Sequence, residues 1–294
     1  MSISAADISS SSPQAPQADD RPIGIIGALP EEIAGLIAQL ALPPAAPASD
    51  TVGRPVATTL TLGSRDFHHG CIDDIDCVAV LSRIGKVAAA ATASILIHRF
   101  DVRAILFVGV AGGMADTVRV GDIVIGSQFI QHDMDASPLF PRFEIPLLGT
   151  RCFAADSEWS ARLHRAAQGY LASRVDGEHA VDAMADASAS ARPQVHVGLI
   201  GSGDRFVSGA NERARLREAL PALLAVDMES AAVAQVCVEH GVPFAAMRSI
   251  SDSADDGAAV DFPMFLREVA AVYADGVLRA VFAAHRAERN DAVR

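Results

Sequence analysis

From residue 21 onward, short runs of apolar and β-branched residues alternate with longer amphipathic or Ala-rich stretches. Strands and helices that alternate in this way build an α/β sheet. The pattern predicts strands over 22–28, 56–62, 66–72, 76–82, 104–109, 122–130, 195–201, 222–226 and 244–250. It predicts helices over 31–42, 86–100, 157–172, 211–220, 229–240 and 263–289. The Ala-, Pro-, Ser- and Asp-rich stretches 42–50 and 176–193 read as loops. No linker interrupts the alternation after residue 21, so residues 21–294 read as one domain. Residues 1–20, rich in Ser, Ala, Pro and Asp, read as a disordered tail.

Composition narrows the picture further. Half of the 294 residues are apolar, enough for a sizeable core, yet no apolar run approaches the roughly 20 residues of a membrane span. Lys and Arg number 24 against 36 Asp and Glu, a formal charge of −12, which argues against a nucleic-acid-coating surface. Four scattered cysteines, with no Cys-x-x-Cys pair, suggest neither a disulfide framework nor a zinc site. The first 20 residues contain no Lys or Arg and no apolar stretch, so they match neither a secretory signal nor a transit peptide. The expectation is a soluble cytoplasmic protein with no membrane and no nucleic-acid partner.

In open α/β sheets ligands sit beyond the carboxyl ends of the strands. Four strand ends stand out: Leu29-Pro30-Glu31-Glu32, Gly109-Val110-Ala111-Gly112-Gly113, Asp227-Met228-Glu229 and Ser251-Asp252. Three carry carboxylates, and the second reads as a glycine-rich turn that backbone allows a ligand to approach closely. Each also has a structural reading, because acids and Pro30 suit a helix start and Ser251-Asp252 can form a cap. Common cofactor motifs are absent. Gly24-x-x-Gly27 lacks the full dinucleotide-binding pattern, Gly85-Lys86 has no P-loop glycine ahead of it, and Gly201-Ser202-Gly203 is no nucleophile elbow. His132-Asp133-Met134-Asp135 could ligate a metal or simply serve for hydrogen bonding.

The ordered stretches IGIIGALPEEI, SRIGKVAAAATASILI, FVGVAGGMADTVRVGDIVIG, GLIGSGDRFV, AVDMESAAVAQVC and MRSISDSAD carry a resemblance. Over about residues 23–280 the chain resembles the 5′-methylthioadenosine/S-adenosylhomocysteine nucleosidases of the nucleoside phosphorylase superfamily. The resemblance implies a three-layer sandwich with a mixed central sheet, a homodimer, and hydrolysis of adenine nucleosides bearing a 5′-thioether, with no metal and no cofactor. It implies that Glu32 activates the attacking water and that Asp252 protonates the departing adenine. Glu229 and Met228 match the residues that hold the ribose, and Phe206 and Val207 the segment that stacks on the base. Ala111 and Gly112 would lie beneath the nucleoside, Ile84 beside the sugar, and Phe262 along the 5′ group, with Arg248 and Ser251 in support. The chemistry is coherent on its own terms. Breaking an N-glycosidic bond makes the sugar cationic and the purine anionic, so two carboxyl groups with opposite duties are needed.

Three departures from the family pattern bear on specificity. Val110 stands where a Ser or Thr is usual, Arg83 stands where glycine is usual, and residues 136–149 differ from common bacterial members. Two other readings remain. The first is a phosphorolytic purine nucleoside phosphorylase with phosphate on Arg248 and Arg83, although Glu32 would repel a phosphate dianion. The second is a nucleoside-binding protein without turnover.

Overall fold

The computed structural model describes residues 21–40, 58–174, 192–254 and 265–292. Ten strands appear in chain order: β1 (Ile23–Gly27), β2 (Thr58–Leu62), β3 (Arg65–Ile72), β4 (Ile75–Leu81), β5 (Ala104–Gly113), β6 (Ile123–Gln131), β7 (Cys152–Ala154), β8 (Val195–Ser202), β9 (Leu223–Asp227) and β10 (Phe244–Asp252). The helices are α1 (Pro30–Leu40), α2 (Lys86–Phe100), α3 (Ser157–Arg174), α4 (Ala210–Ala219), α5 (Ser230–His240) and α6 (Ala271–Ala292). A π-helical turn, Leu266–Ala270, leads into α6. Among the described residues, no helix is long and apolar enough to cross a membrane.

The strands form one mixed sheet in the order β10-β6-β8-β9-β5-β1-β4-β3-β2, and β10 pairs with β5 as well. That extra pairing closes five strands, β5, β10, β6, β8 and β9, into a ring from which β1, β4, β3 and β2 extend as an open sheet. The pairs of β5 with β1 and with β10 are parallel, and that of β5 with β9 is antiparallel.

Side chains alternate across the sheet, as the period of two in a strand requires. On β5, Ala104, Leu106 and Val108 join the core beneath α1, α3 and α6, whereas Ile105 and Phe107 join the core beneath α2 and α5. The result is three layers, with the sheet in the middle. Both faces are covered, so β1 and β10 read as unbroken buried runs. Helix α1 starts at Pro30, whose missing N–H costs nothing at a first helical position, and it buries Ile33, Leu36 and Leu40 on one side. Helix α2 stops at Asp101, which takes the left-handed conformation with φ 49° and donates its N–H to the Leu96 carbonyl.

Three features differ from the sequence pattern. Gly109–Gly113 is the second half of strand β5, because its N–H and carbonyl groups are taken by β10 and β9; it is no turn. Likewise Ser251 and Asp252 belong to β10. Strand β7, paired with Gln128–Ile130 of β6, is three residues long, too short to show a period in sequence. Residues 1–20 and 42–50, most of 176–193, and the start of the helix expected from 263 lie outside the described residues.

Candidate active site

The parallel strands β1, β5 and β10 end on one side of the sheet, and β8 and β9 bring their own ends to the same place through the ring. A cavity of about 500 Å³ opens there. Glu32, Ile84, Ala111, Gly112, Phe206, Val207, Met228, Glu229, Ser251 and Asp252 all line it, so ten of the twelve residues expected from sequence converge. Arg248 lies buried beside the same space, only 1% exposed. Phe262 lies outside the described residues.

Glu32 enters from the first turn of α1 and is buried. Its Oε2 accepts hydrogen bonds from the N–H groups of Ala28 (2.7 Å) and Leu29 (2.8 Å), and its Oε1 from Val110 N–H (3.1 Å). One carboxylate thus ties the end of β1 to the middle of β5. Burial raises its pKa above the ordinary 4.5, while Arg248 and the three N–H donors pull the other way. Asp252 is also buried; its Oδ2 accepts from Ser251 Oγ and its Oδ1 from Ala254 N–H, each at 2.8 Å. Gly112 makes room for it, because a Cβ at that position would lie 3.0 Å from Asp252 Oδ1.

Asp227 and Glu229, two positions apart, do different work. Asp227 is the helix-start acid, accepting from the N–H groups of Glu229 and Ser230 and from both the Ser202 and Ser230 hydroxyls. It also pairs with Arg248 Nε at 2.8 Å, with each side chain 1% exposed. Removing either partner from so buried a pair typically costs about 3–5 kcal/mol. Glu229 caps nothing with its side chain and instead accepts from Gly85 N–H at 2.8 Å across the cavity. Burial, and then the neighbouring Asp227, push Glu229 up to about 8.

Around the mouth, Lys86 holds two loops together. Its Nζ donates to Asp133 Oδ1 (2.6 Å) and its N–H to Asp204 Oδ1 (3.0 Å), while Asp204 N–H donates to Asp133 Oδ2 (2.9 Å). The loop bearing Ile84 is thereby tied to the loop bearing Phe206. Asp133 therefore serves for hydrogen bonding, and among the described residues no cluster of three or more His, Cys, Asp or Glu converges on a metal-sized space.

Six lining residues were not singled out as site residues from sequence: Ala28, Leu29, Val110, Arg205, Val226 and Asp227. Four of them are apolar and carry no chemical signal. Asp227 is legible in sequence as an acid at a strand end that could equally start a helix, but its contacts are not. Val110 donates its N–H to Glu32 and lines the cavity at a position where the resembling family usually has a hydroxyl.

Residues 22–283 match the family model described as the phosphorylase superfamily. The chain is 34% identical to the 5′-methylthioadenosine/S-adenosylhomocysteine nucleosidase of Anoxybacillus flavithermus, over 84% of this chain and 92% of that one. The crystal structure of the nucleosidase of the same name from Neisseria meningitidis, in complex with methylthio-immucillin-A, superposes with a TM-score of 0.72 at 28% identity, covering 89% of this chain and 98% of that one. The futalosine hydrolase of Helicobacter pylori superposes with a TM-score of 0.70 at 30% identity, covering 89% and 97%. This chain belongs to the phosphorylase superfamily and, within it, to the family of the 5′-methylthioadenosine/S-adenosylhomocysteine nucleosidases.

Proposed function

We propose that the chain hydrolyses the N-glycosidic bond of 5′-thio-substituted adenine nucleosides, methylthioadenosine and S-adenosylhomocysteine, to adenine and the thioribose. The observation that carries this reading is the convergence of four buried carboxyl groups, Glu32, Asp227, Glu229 and Asp252, on one largely apolar cavity. Glu32 takes a proton from water as the water oxygen attacks C1′. The C1′–N9 bond breaks, its electron pair moves into the purine, and Asp252 delivers a proton at N7. Glu229 and Met228 hold the ribose, and Phe206 and Val207 cover the base. Ala111 and Gly112 form the floor, with Ser251 and Arg248 in support. Burial moves the Glu32 pKa upward, the direction that makes a carboxylate a stronger base.

The 5′ group meets Ile84 and Leu29 on the cavity wall, and the family resemblance assigns Phe262 to the same group. The exposed apolar side chains Leu139, Leu147 and Leu148 support a homodimer in which this segment closes the partner's 5′ pocket. Four free thiols suit a reducing cytoplasm.

Kinetics with methylthioadenosine, S-adenosylhomocysteine and adenosine, in the parent and in Asp252→Asn, test the reading. The parent should release adenine and favour the thioethers, and Asp252→Asn should fold, bind and turn over about 10²-fold or more slowly. Turnover of Asp252→Asn close to the parent's would remove Asp252 as the acid.

A further inference from the structure

Arg248 presents an unusual arrangement for a buried cation. Its Nε donates to Asp227 Oδ2 at 2.8 Å, and its guanidinium lies 3.9 Å from the centroid of the Phe107 ring. Neither Nη1 nor Nη2 has a hydrogen-bond partner among the described residues, although both are buried. Such groups are costly unless something meets them. The geometry around Gly109 shows where Nη1 is directed. The point that a Cβ of Gly109 would occupy is 2.8 Å from Arg248 Nη1 and also 2.8 Å from Glu32 Oε1. The unpartnered end of the guanidinium and the carboxylate of Glu32 therefore face one gap, kept open by the absence of a side chain on β5.

The direction of a guanidinium is set by what holds its other atoms. The Phe107 ring lies against the guanidinium, and the Asp227 carboxylate holds its Nε. Asp227 has little freedom of its own. Ser202 Oγ donates to its Oδ1 at 2.5 Å, Ser230 Oγ donates to its Oδ2, and the N–H groups of Glu229 and Ser230 converge on it. Ser202 Oγ in turn accepts from Ala231 N–H at 2.8 Å, so the end of β8, the end of β9 and the start of α5 hold this carboxylate together. That is far more than a helix cap needs.

We infer that Asp227 is a positioning residue for the reaction, holding Arg248 by Nε so that its unpartnered Nη1 faces the gap in front of Glu32. Asp227 touches no reacting atom and acts through Arg248. The inference rests on the hydrolytic reading for its kinetic consequence, and on geometry alone for its structural one.

Two measurements on the full-length protein test it. The first is the ¹⁵N–¹H spectrum of the unmodified protein, in which the Arg248 Nε–H, assigned by its loss in Arg248→Gln, should exchange slowly with solvent because it is held in a buried bond. Rapid exchange of that proton overturns the proposal whether or not the protein hydrolyses nucleosides. The second is a double-mutant cycle of Asp227→Asn and Arg248→Gln, read as kcat alongside the affinity for adenine. Asp227→Asn should lower kcat by roughly 30–300-fold while adenine affinity stays within about threefold, a split that general loosening of the fold would not produce. In the Arg248→Gln background the same change should cost no more than about threefold. Losses that multiply, or a normal kcat in Asp227→Asn beside a slow Arg248→Gln, overturn the proposal. Absence of adenine release by the parent would instead contradict the proposed function and leave the spectrum as the test.

Discussion

At the scale of the residue, Glu32 shows how one side chain serves structure and chemistry together. Its three backbone donors explain why an acid sits at the start of α1, and they are also what fixes its orientation toward the cavity. Glu32→Gln should keep nucleoside binding and lose roughly 10²–10⁴-fold in turnover, because an amide is nearly the same shape yet cannot take a proton from water. Burial holds the Glu32 pKa above 4.5, so the base becomes protonated, and the rate of the parent falls, as pH drops through a value above 4.5. A pH profile of kcat/KM should show that acid limb in the parent and lose it in Glu32→Gln. Arg83 provides a second test, one of backbone rather than chemistry. It is held at φ 71° and donates to the Ser64 carbonyl at 2.5 Å. Left-handed backbone penalises any residue with a Cβ, so Arg83→Gly should be more stable than Arg83→Ala by about 1 kcal/mol in denaturant unfolding. Equal stabilities would mean that the turn relaxes to suit either residue.

At the scale of the element, strand β5 decides the geometry of the site. It pairs with β1 and β10 along its length and with β9 at its end, so it places Val110, Ala111 and Gly112 among the carboxylates that neighbouring strands and helices bring in. Gly109→Ala would push a methyl group into the gap between Glu32 and Arg248, and kcat should fall at least about tenfold, with a stability loss of about 1–3 kcal/mol from overpacking. An unchanged kcat would show that this gap is not used. The same strand marks how far the sequence could be read. The buried runs of β1, β5 and β10 and the periodic face of α1 were legible because local pattern and burial agree in them. Gly109–Gly113 was not, since glycines signal a turn locally and only the pairing with β9 and β10 makes them strand. Glu32, Glu229 and Asp252 were visible as acids at strand ends. The second role of Asp227 was not, because its contacts to Ser202 and Arg248 join residues 21 or more positions apart.

At the scale of the whole molecule, the ring of five strands brings the ends of β5, β8, β9 and β10 together beside the end of β1, and the site forms where they meet. The cavity is edged by the exposed apolar side chains Ile84 and Phe206, and Leu139 and Leu147 are exposed elsewhere on the surface. Monomers seldom leave several such groups exposed together without a use. Sedimentation should give a dimer at micromolar concentration, and Leu139→Glu should shift it toward monomer and raise KM for thioether nucleosides more than for adenosine. A fully active monomer would contradict the dimer. The central claim is that water, and not phosphate, accepts the ribosyl group. Turnover of methylthioadenosine in phosphate-free ¹⁸O-water, with products read by mass spectrometry, tests it directly. The account predicts an undiminished rate of adenine release and one ¹⁸O at C1 of the free thioribose. A rate that requires phosphate, with a sugar 1-phosphate as product, would contradict it.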